Sequence, residues 1–535
     1  MYGGGWKIKV FMKYNYRVVI NMVTIPNILK HNDQSNTAFT QLNKGKLEKF
    51  TYLEIDRYSD NLAHKLTEIG IKPESKIAIK AKNSVQWVVS FFSILKLGCV
   101  CVPIDIKMND FASEKIIKLS GAELLISEKD AKFEVKELNI YDFFNSSINE
   151  NHKKIDKSSE DCKDKIAIIL YTSGTTGDPK GAMLSNKNIL SNINEISKML
   201  QEEGKLKSFS VLPMSHVYEL TCNILVSLNL MNTVHFCSGL DIKTLSKELK
   251  LIRPNIFPVV PLLLEKIYNG ISKKQIKSNI LKNIIRFFPK LFGYIFRKSI
   301  GLDKLKFFFC GGAPLSFEIE SFFDRIGLKV IQGYGLTEAS PLVSVNPLKS
   351  KKIGSVGKVI NSCDLKILDK DSSGNGVIHV KGPNIFQGYY NNVDATEESL
   401  IDNYLNTGDI GRKDDEDYLF ISGRKKFVII GPSGENIYPE EIEELLNNFI
   451  EIQESVIFSL DQKQISVLIK LNDEYRDISF DKIKKIINYI NNKIERYKRI
   501  SKIYLSDIEF EKTSTQKIKR EFLKNIDVSE YKSIM

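Results

Sequence analysis

The segment TSGTTGDPKG, residues 172–181, is well suited to hold an anion. Glycines let backbone N–H groups approach a phosphate closely, hydroxyls add donors, and Lys180 contributes a mobile charge. The loop is no Walker A motif, because no Gly-Lys-Ser/Thr closes it. A surface turn would account for Gly, Ser and Thr alone. The apolar run AIILY before the loop and the Pro-Lys-Gly after it point instead to an anchored phosphate cradle.

Such a loop needs a scaffold, and the chain supplies one. Short apolar runs alternate with longer helical patterns: KIAIKA then VQWVVSFFSILKLG, and CVCVPI then SEKIIKLSGA and ELLIS. That rhythm predicts βαβ units and a mainly parallel sheet covered by helices. It resumes at AIILY, with the Gly-rich turn followed by a helix from near Asn186. From about residue 350, Gly, Asp and Asn turns multiply and SVGKVI, DLKILD and GVIHVKG read as short strands, a small β-rich subdomain. An independent α+β pattern starts near residue 425. The expected division is residues 22–423 for a large N-terminal domain, with the β-rich part at about 350–423, and 424–535 for a small mobile α+β domain.

The 535 residues exceed one ordinary domain, and 42% hydrophobic with 27% charged residues excludes a disordered or fibrous chain. A net charge of +12 raises nucleic acid, anionic membrane and polyanionic small molecules as partners. Seven cysteines, scattered and without a CxxC pair, fit reduced cytosolic thiols better than disulfides or zinc. Lys7, Lys9, Lys13 and Arg17 interrupt the start, so no signal peptide is expected, and residues 1–21 read as an upstream extension. The 13 uncharged residues 83–95 are too few to cross a bilayer. Residues 220–240, also uncharged but rich in polar side chains, read as a buried helix and a strand.

Further motifs follow in order: GGAPL at 311–315, QGYGLTEASP at 332–341, YLNTGDIG at 404–411, ISGRKK at 421–426 and KTSTQKIKR at 512–520. With the Gly-rich loop, this series resembles the adenylate-forming superfamily of acyl-CoA synthetases, peptide-synthetase adenylation domains and luciferases. The resemblance spans nearly all of the chain beyond Met22. It implies that a carboxylate attacks the α-phosphorus of ATP, giving an acyl-adenylate and pyrophosphate. One anion attacking another needs positive charge in the transition state. Two unit charges ~4 Å apart interact by about 4 kcal/mol at an effective dielectric near 20, so cation placement matters.

On this resemblance, Thr172, Ser173, Gly174, Thr175, Thr176, Gly177 and Lys180 would hold the β- and γ-phosphates. Gly312, Ala313, Gly333 and Tyr334 would border the nucleotide, with the Tyr334 ring on adenine. Thr337 would touch the α-phosphate, and Glu338 would bind Mg²⁺, with Thr172 a weaker second oxygen. Asp409 would take the ribose hydroxyls, supported by Arg424. Lys517, on the mobile domain, would bridge the α-phosphate and the attacking carboxylate. Glu511 and Gln516 depart there from the usual Pro and Gly, and Gln516 stiffens the loop. Lys426 matches the hinge about which the small domain swings to admit a thiol. GENIYPEEIE, 434–443, resembles the face then presented to that thiol; no second lysine stands near Ile430, which gives Gly434 and its backbone more weight.

LPMSHVYEL, 212–220, resembles the wall of the acyl pocket. Amino-acid-adenylating relatives keep an Asp there, and none occurs over 211–218, so a neutral acyl chain fits. Gly335 stands where acetate-specific relatives close the pocket with Trp, and Gly311 would admit an acyl group beside it. His216 either lines the tunnel mouth or is a satisfied core histidine.

Residues 265–306 hold eleven Lys or Arg against two acids, with apolar residues at helical spacing broken by Pro289. The stretch reads as a solvated helix over the core or, second, as a peripheral membrane contact. The expected protein is a cytoplasmic, AMP-forming ligase joining a medium- to long-chain fatty acid to coenzyme A. A carrier-protein ligase, a fatty acyl-AMP ligase, or a catalytically dead scaffold binding membrane or nucleic acid are the alternatives. Lys180, Glu338, Asp409 and Lys517 together argue against the last, and nucleic acid is not expected.

Overall fold

A computed structural model describes residues 24–30, 34–128, 133–142, 155, 162–172, 179–276, 279–431, 435–460, 464–512 and 518–534. Two large sheets carry the first two-thirds of the chain. In the nine-stranded sheet, six central strands run parallel: Val330–Gly335, Phe307–Cys310, Ile256–Val259, Lys207–Ser210, Thr233–Phe236 and Thr37–Asn43. Antiparallel strands close both edges. The six-stranded sheet has five parallel strands, Lys136–Asn139, Leu124–Ser127, Lys76–Lys80, Val100–Pro103 and Ile166–Thr172, with Lys180–Ser185 antiparallel at one edge. Buried apolar residues such as Ile77, Ile79, Val102, Ile126 and Val259 fill the central strands, as a sheet covered on both faces requires.

The strand Lys180–Ser185 differs from the expected strand–turn–helix. Chain leaving the Gly-rich loop first pairs back on Ile166–Thr172, with Thr172 opposite Lys180, and only then enters the helix Asn186–Leu200. Ser185 caps that helix by accepting from Asn188 N, while Asn188 Oδ1 accepts from Ser185 N, a reciprocal capping box. Lys180–Ser185 is short and mostly buried, so pairing outweighs early helix formation.

The uncharged run forms the helix Val85–Lys96, and its closing lysine is buried. Lys96 Nζ reaches Asp56 at 2.6 Å and Asp60 at 2.7 Å on the helix Tyr52–Glu68. A buried cation is tolerated only with such partners. The second uncharged run begins as a π-helix, Tyr218–Leu225, continues as Val226–Asn229 and leads to the strand Thr233–Phe236.

The β-rich portion is a five-stranded antiparallel sheet of Asp364–Leu368, Gly376–Lys381, Leu400–Ile401, Tyr404–Lys413 and Leu419–Arg424. SVGKVI belongs elsewhere: only Lys358–Val359 is strand, and it extends the nine-stranded sheet beside Leu342–Val345. Among the described residues after Phe427, a four-stranded sheet with the helices Pro439–Asn447 and Phe480–Asn491 encloses its own core around Ile442, Val467 and Ile487.

Candidate active site

A cavity of about 1720 Å³ lies between the nine-stranded sheet, the β-rich sheet and the C-terminal region. Its position follows from the topology, since parallel α/β sheets open their crevices at the carboxyl ends of the strands. Gly311–Ala313 follows the strand Phe307–Cys310, and Tyr334 and Gly335 end the strand Val330–Gly335; all five line the cavity.

The YGLTEAS segment is held by side-chain amides from two directions. Asn192 Nδ2 donates to Ala339 O at 2.8 Å, and Asn384 Nδ2 donates to Ala339 O and Leu342 O at 3.1 and 2.9 Å. Thr337 and Glu338 form the first turn of a short 3₁₀ helix facing the cavity. Glu338 Oε1 accepts from Tyr389 OH at 2.7 Å, and the Lys180 ammonium lies 5.4 Å from the centre of the same ring. Burial, then the Glu338 charge, raises the Tyr389 phenol, which keeps it a donor. The sequence reading missed Tyr389. Its one local signal is Gly388 before it, a backbone at φ +118° that lets Tyr389 N donate to Thr396 Oγ1 at 2.9 Å.

Asp409 and Arg424 meet because they are register partners across the hairpin of Tyr404–Lys413 with Leu419–Arg424. Arg424 Nε sits 2.7 Å from Asp409 Oδ1, and Tyr334 OH donates to Asp409 Oδ2 at 2.7 Å. The Asp409 charge, outweighing burial, which lowers it, raises the guanidinium above its ordinary range. Burial, then Asp409, raises the Tyr334 phenol well above its own. The carboxylate is buried and held on both oxygens, and each oxygen retains one lone pair for a further donor.

Thr172 and Lys180 stand opposite each other at the mouth of the Gly-rich hairpin and line the cavity. Ser173, Gly174, Thr175, Thr176 and Gly177 lie outside the described residues, as do Gly434 and Lys517. Glu511 and Ile518, on either side of Lys517 in the chain, line the cavity. Lys426 lies in a one-turn 3₁₀ helix, Lys425–Phe427, directly after the strand that bears Arg424. Among the described residues, no group of three or more His, Cys, Asp or Glu could hold a metal. The Glu338 carboxylate and the Thr172 hydroxyl do suit Mg²⁺, which takes few protein oxygens and keeps phosphates and water as its other ligands.

The apolar side of the cavity is lined by Ile196, Met199, Tyr218, Cys222 and Phe309. Tyr218 OH donates to Phe309 O at 3.0 Å, fixing the ring beside Gly311, where an added Cβ would come within 3.7 Å of it. Gly335 has a reason beyond an open pocket: a Cβ there would lie 1.9 Å from Pro341 O. His216 lines the cavity, with Nε2 3.4 Å from Asp105 Oδ2. Burial pushes the Asp105 carboxyl up, but His216 and the Lys107 N–H together hold it below its ordinary range. Glu219 follows the acid-free window, is wholly buried and has its carboxyl pushed up to about 8 by burial, against opposing bonds from Ser210 and Asn223.

The C-terminal region closes the cavity with few bonds. Ser316 Oγ donates to Asn448 Oδ1 at 2.7 Å, Phe317 N to Glu444 Oε1 at 2.9 Å, and Tyr438 OH to Asp371 Oδ2 at 2.8 Å.

The family model described as AMP-binding enzyme matches residues 30–390, and that for the AMP-binding enzyme C-terminal domain matches 427–532. A long-chain-fatty-acid–CoA ligase from Rattus norvegicus is 28% identical over 528 residues, covering 87% of this chain and 79% of its own. A chloroplastic long-chain-fatty-acid–[acyl-carrier-protein] ligase from Arabidopsis thaliana is 26% identical over 542 residues, covering 80% and 73%. The fold is also that of O-succinylbenzoate coenzyme A synthetase from Bacillus subtilis, solved with ATP and magnesium ion, at a TM-score of 0.76 and 21% identity over 94% of this chain and 99% of that one.

Proposed function

The chain belongs to the AMP-binding enzyme family, and from that premise we propose that it activates a medium- to long-chain fatty acid with ATP and passes the acyl group to coenzyme A. One observation carries the reading. A single cavity joins a polar corner of Tyr334, Asp409, Arg424 and Glu338 to an apolar wall of Ile196, Met199 and Cys222. The first suits a nucleotide and the second a hydrocarbon chain.

In the first half-reaction a carboxylate oxygen attacks the α-phosphorus and pyrophosphate leaves. Asp409 would take the two ribose hydroxyls, the Tyr334 ring would lie on adenine, and Thr337 would donate to an α-phosphate oxygen. Lys180 and the 172–177 loop would hold the departing pyrophosphate. Glu338, with Thr172, would hold Mg²⁺, which supplies neutralisation of the phosphate charge. Lys517 would stand between the two anions as they meet, where positive charge contributes most. In the second half-reaction a thiolate attacks the acyl carbonyl and AMP leaves. A swing of residues 424–535 about Lys426 would withdraw Lys517 and admit the thiol. Gly311 and Gly335 would border the acyl chain, and His216 would stand at its entrance.

Coenzyme A is preferred to a carrier protein as acceptor on the rat relative, and the Arabidopsis relative keeps the second acceptor open. Among the described residues no helix is long and apolar enough to cross a membrane. The reading is completed by a cytoplasmic protein with a peripheral membrane contact through 265–306.

Carboxylate-dependent exchange of labelled pyrophosphate into ATP tests the first half-reaction. The expected result is exchange with fatty acids, lost by at least ~100-fold in Lys517→Ala while ATP still binds. No exchange with any acid from acetate to eicosanoate would sink the reading. Product analysis with coenzyme A and a carrier protein offered together then identifies the acceptor.

A further inference from the structure

The helices Asn279–Phe287 and Pro289–Ile300 have two apolar faces, and only one is used by the fold. On the inner face Ile285 is buried, and Gly293 approaches so closely that a Cβ would lie 1.8 Å from Ile326 O. Phe292 and Phe296 pack beside them against the core. That inner stripe accounts for an amphipathic helix covering the core. It leaves Ile280, Phe287, Phe288, Leu291, Tyr294 and Ile295 unexplained, and these are 54–75% exposed. Six large apolar side chains turned outward within sixteen residues form a patch of the kind that monomeric proteins ordinarily keep small.

The charges around the patch have one sign. Lys282, Arg286, Lys290 and Lys298 are exposed among these residues, and no acid occurs from 280 to 302. Among the described residues none of the four has a carboxylate partner, whereas Lys306 just beyond pairs with Glu203 at 2.7 Å. Aromatic and aliphatic side chains set among unpaired cations match the boundary of an anionic bilayer, where rings enter the acyl region and cations meet headgroups. A second copy of the chain would bring the same cations together, and nothing in the patch offsets that repulsion.

We propose that the outward face of these two helices docks on an anionic lipid bilayer. The helix before them in the chain, Pro261–Ile276, reaches the cavity: Pro261 and Glu265 in its first turns line it. The benefit of docking rests on the fatty-acid reading, because such acids partition into bilayers; the docking itself does not.

Co-sedimentation with vesicles of phosphatidylcholine, alone or with about one-third phosphatidylglycerol, tests it. The full chain is expected to partition at least ~10-fold more strongly onto the anionic vesicles, and less so in high salt. Phe287→Ser/Phe288→Ser/Leu291→Ser should lose ~10-fold or more of that binding. Lys282→Glu/Arg286→Glu/Lys290→Glu should erase the preference for anionic lipid. Both triple variants should keep pyrophosphate exchange with a water-soluble medium-chain acid, which shows that the fold and cavity survive. Vesicle binding that is absent, indifferent to lipid charge or unchanged by either variant overturns the proposal. So does a wild-type dimer, by light scattering, that the serine variant converts to monomer without any vesicle binding. Failed exchange in the wild-type chain would count against the ligase reading alone.

Discussion

The two sides of the cavity solve the burial of charge in opposite ways. On the N-terminal side, Asp409 has Arg424 on one oxygen and Tyr334 on the other, and Glu338 has Tyr389. Both of these carboxylates are bonded before any nucleotide arrives, so this corner of the site is preorganised. On the C-terminal side, Arg520 bonds Glu443, which also accepts from Ile457 N at 2.7 Å. Glu440, one turn earlier on the same helix, stands 3.9 Å from Arg520 and packs on the backbone of Gly423. Its Oε2 is buried without a hydrogen-bond partner among the described residues. Burial, opposed by Arg520 and reinforced by Glu443, pushes its carboxyl up to about 7. The Asp409 and Glu338 carboxylates are thus bonded, whereas Oε2 of Glu440 is not.

Removing a group from the satisfied side should cost most. Asp409→Ala would strip the partner from Arg424 and Tyr334 and delete the ribose contact. With about 1.5–3 kcal/mol for each of two hydrogen bonds to a charged group, kcat/KM for ATP should fall by at least ~100-fold. The loss should appear chiefly in KM, because the ribose is held alike before and during the chemistry. A loss confined to kcat would show that Asp409 acts on the reacting phosphorus and not on the sugar.

Much of the satisfied side was legible in the sequence. Asp409 and Arg424 were brought together by the resemblance alone, and the structure supplies the physical reason, register partners across an antiparallel hairpin. The parallel sheets followed from the alternation of apolar runs with helical patterns. Tyr389 was not legible, because its partnership with Glu338 joins residues fifty-one apart through the fold, and one tyrosine beside another carries no periodic signal. The strand Lys180–Ser185 was hidden for a different reason: it is short, and only the antiparallel partner on its far side marks it as strand. The basic amphipathic stretch 265–306 was legible, with membrane contact as its second reading, but not which of its apolar side chains face outward. Spacing reveals that a helix is amphipathic, but not that its core-facing stripe is already satisfied elsewhere.

The unsatisfied side predicts a pH effect of intermediate size. A carboxyl raised from 4.5 to about 7 binds its proton more tightly in the folded protein than in the unfolded chain. Its contribution is therefore fully present below pH 4.5 and is lost as pH rises through about 7. Glu440→Gln keeps the shape and cannot ionise. The difference in unfolding free energy between variant and wild type should move by roughly 1–3 kcal/mol in the variant's favour between pH 5 and 8. Parallel stability curves would mean that Arg520 and Arg424 already keep Glu440 ionised, and the contrast between the two sides would weaken.

The smallest effect sharpens the comparison most. Tyr389→Phe removes one hydroxyl from the satisfied side and leaves the ring over Lys180, 5.4 Å from its ammonium. Glu338 would keep its charge and its place at the head of the 3₁₀ turn, where Ala339 O is still anchored by Asn192 and Asn384. What it loses is a donor worth about 1 kcal/mol that fixes the carboxylate plane. If that bond preorganises Glu338 for the ion, half-saturation by Mg²⁺ should require about threefold more metal, with kcat at saturating Mg²⁺ unchanged. If the bond instead competes with the ion for the carboxylate, the requirement should fall. The direction of that shift separates a side chain held ready from one held back, and on the geometry of Glu338 and Tyr389 the requirement rises.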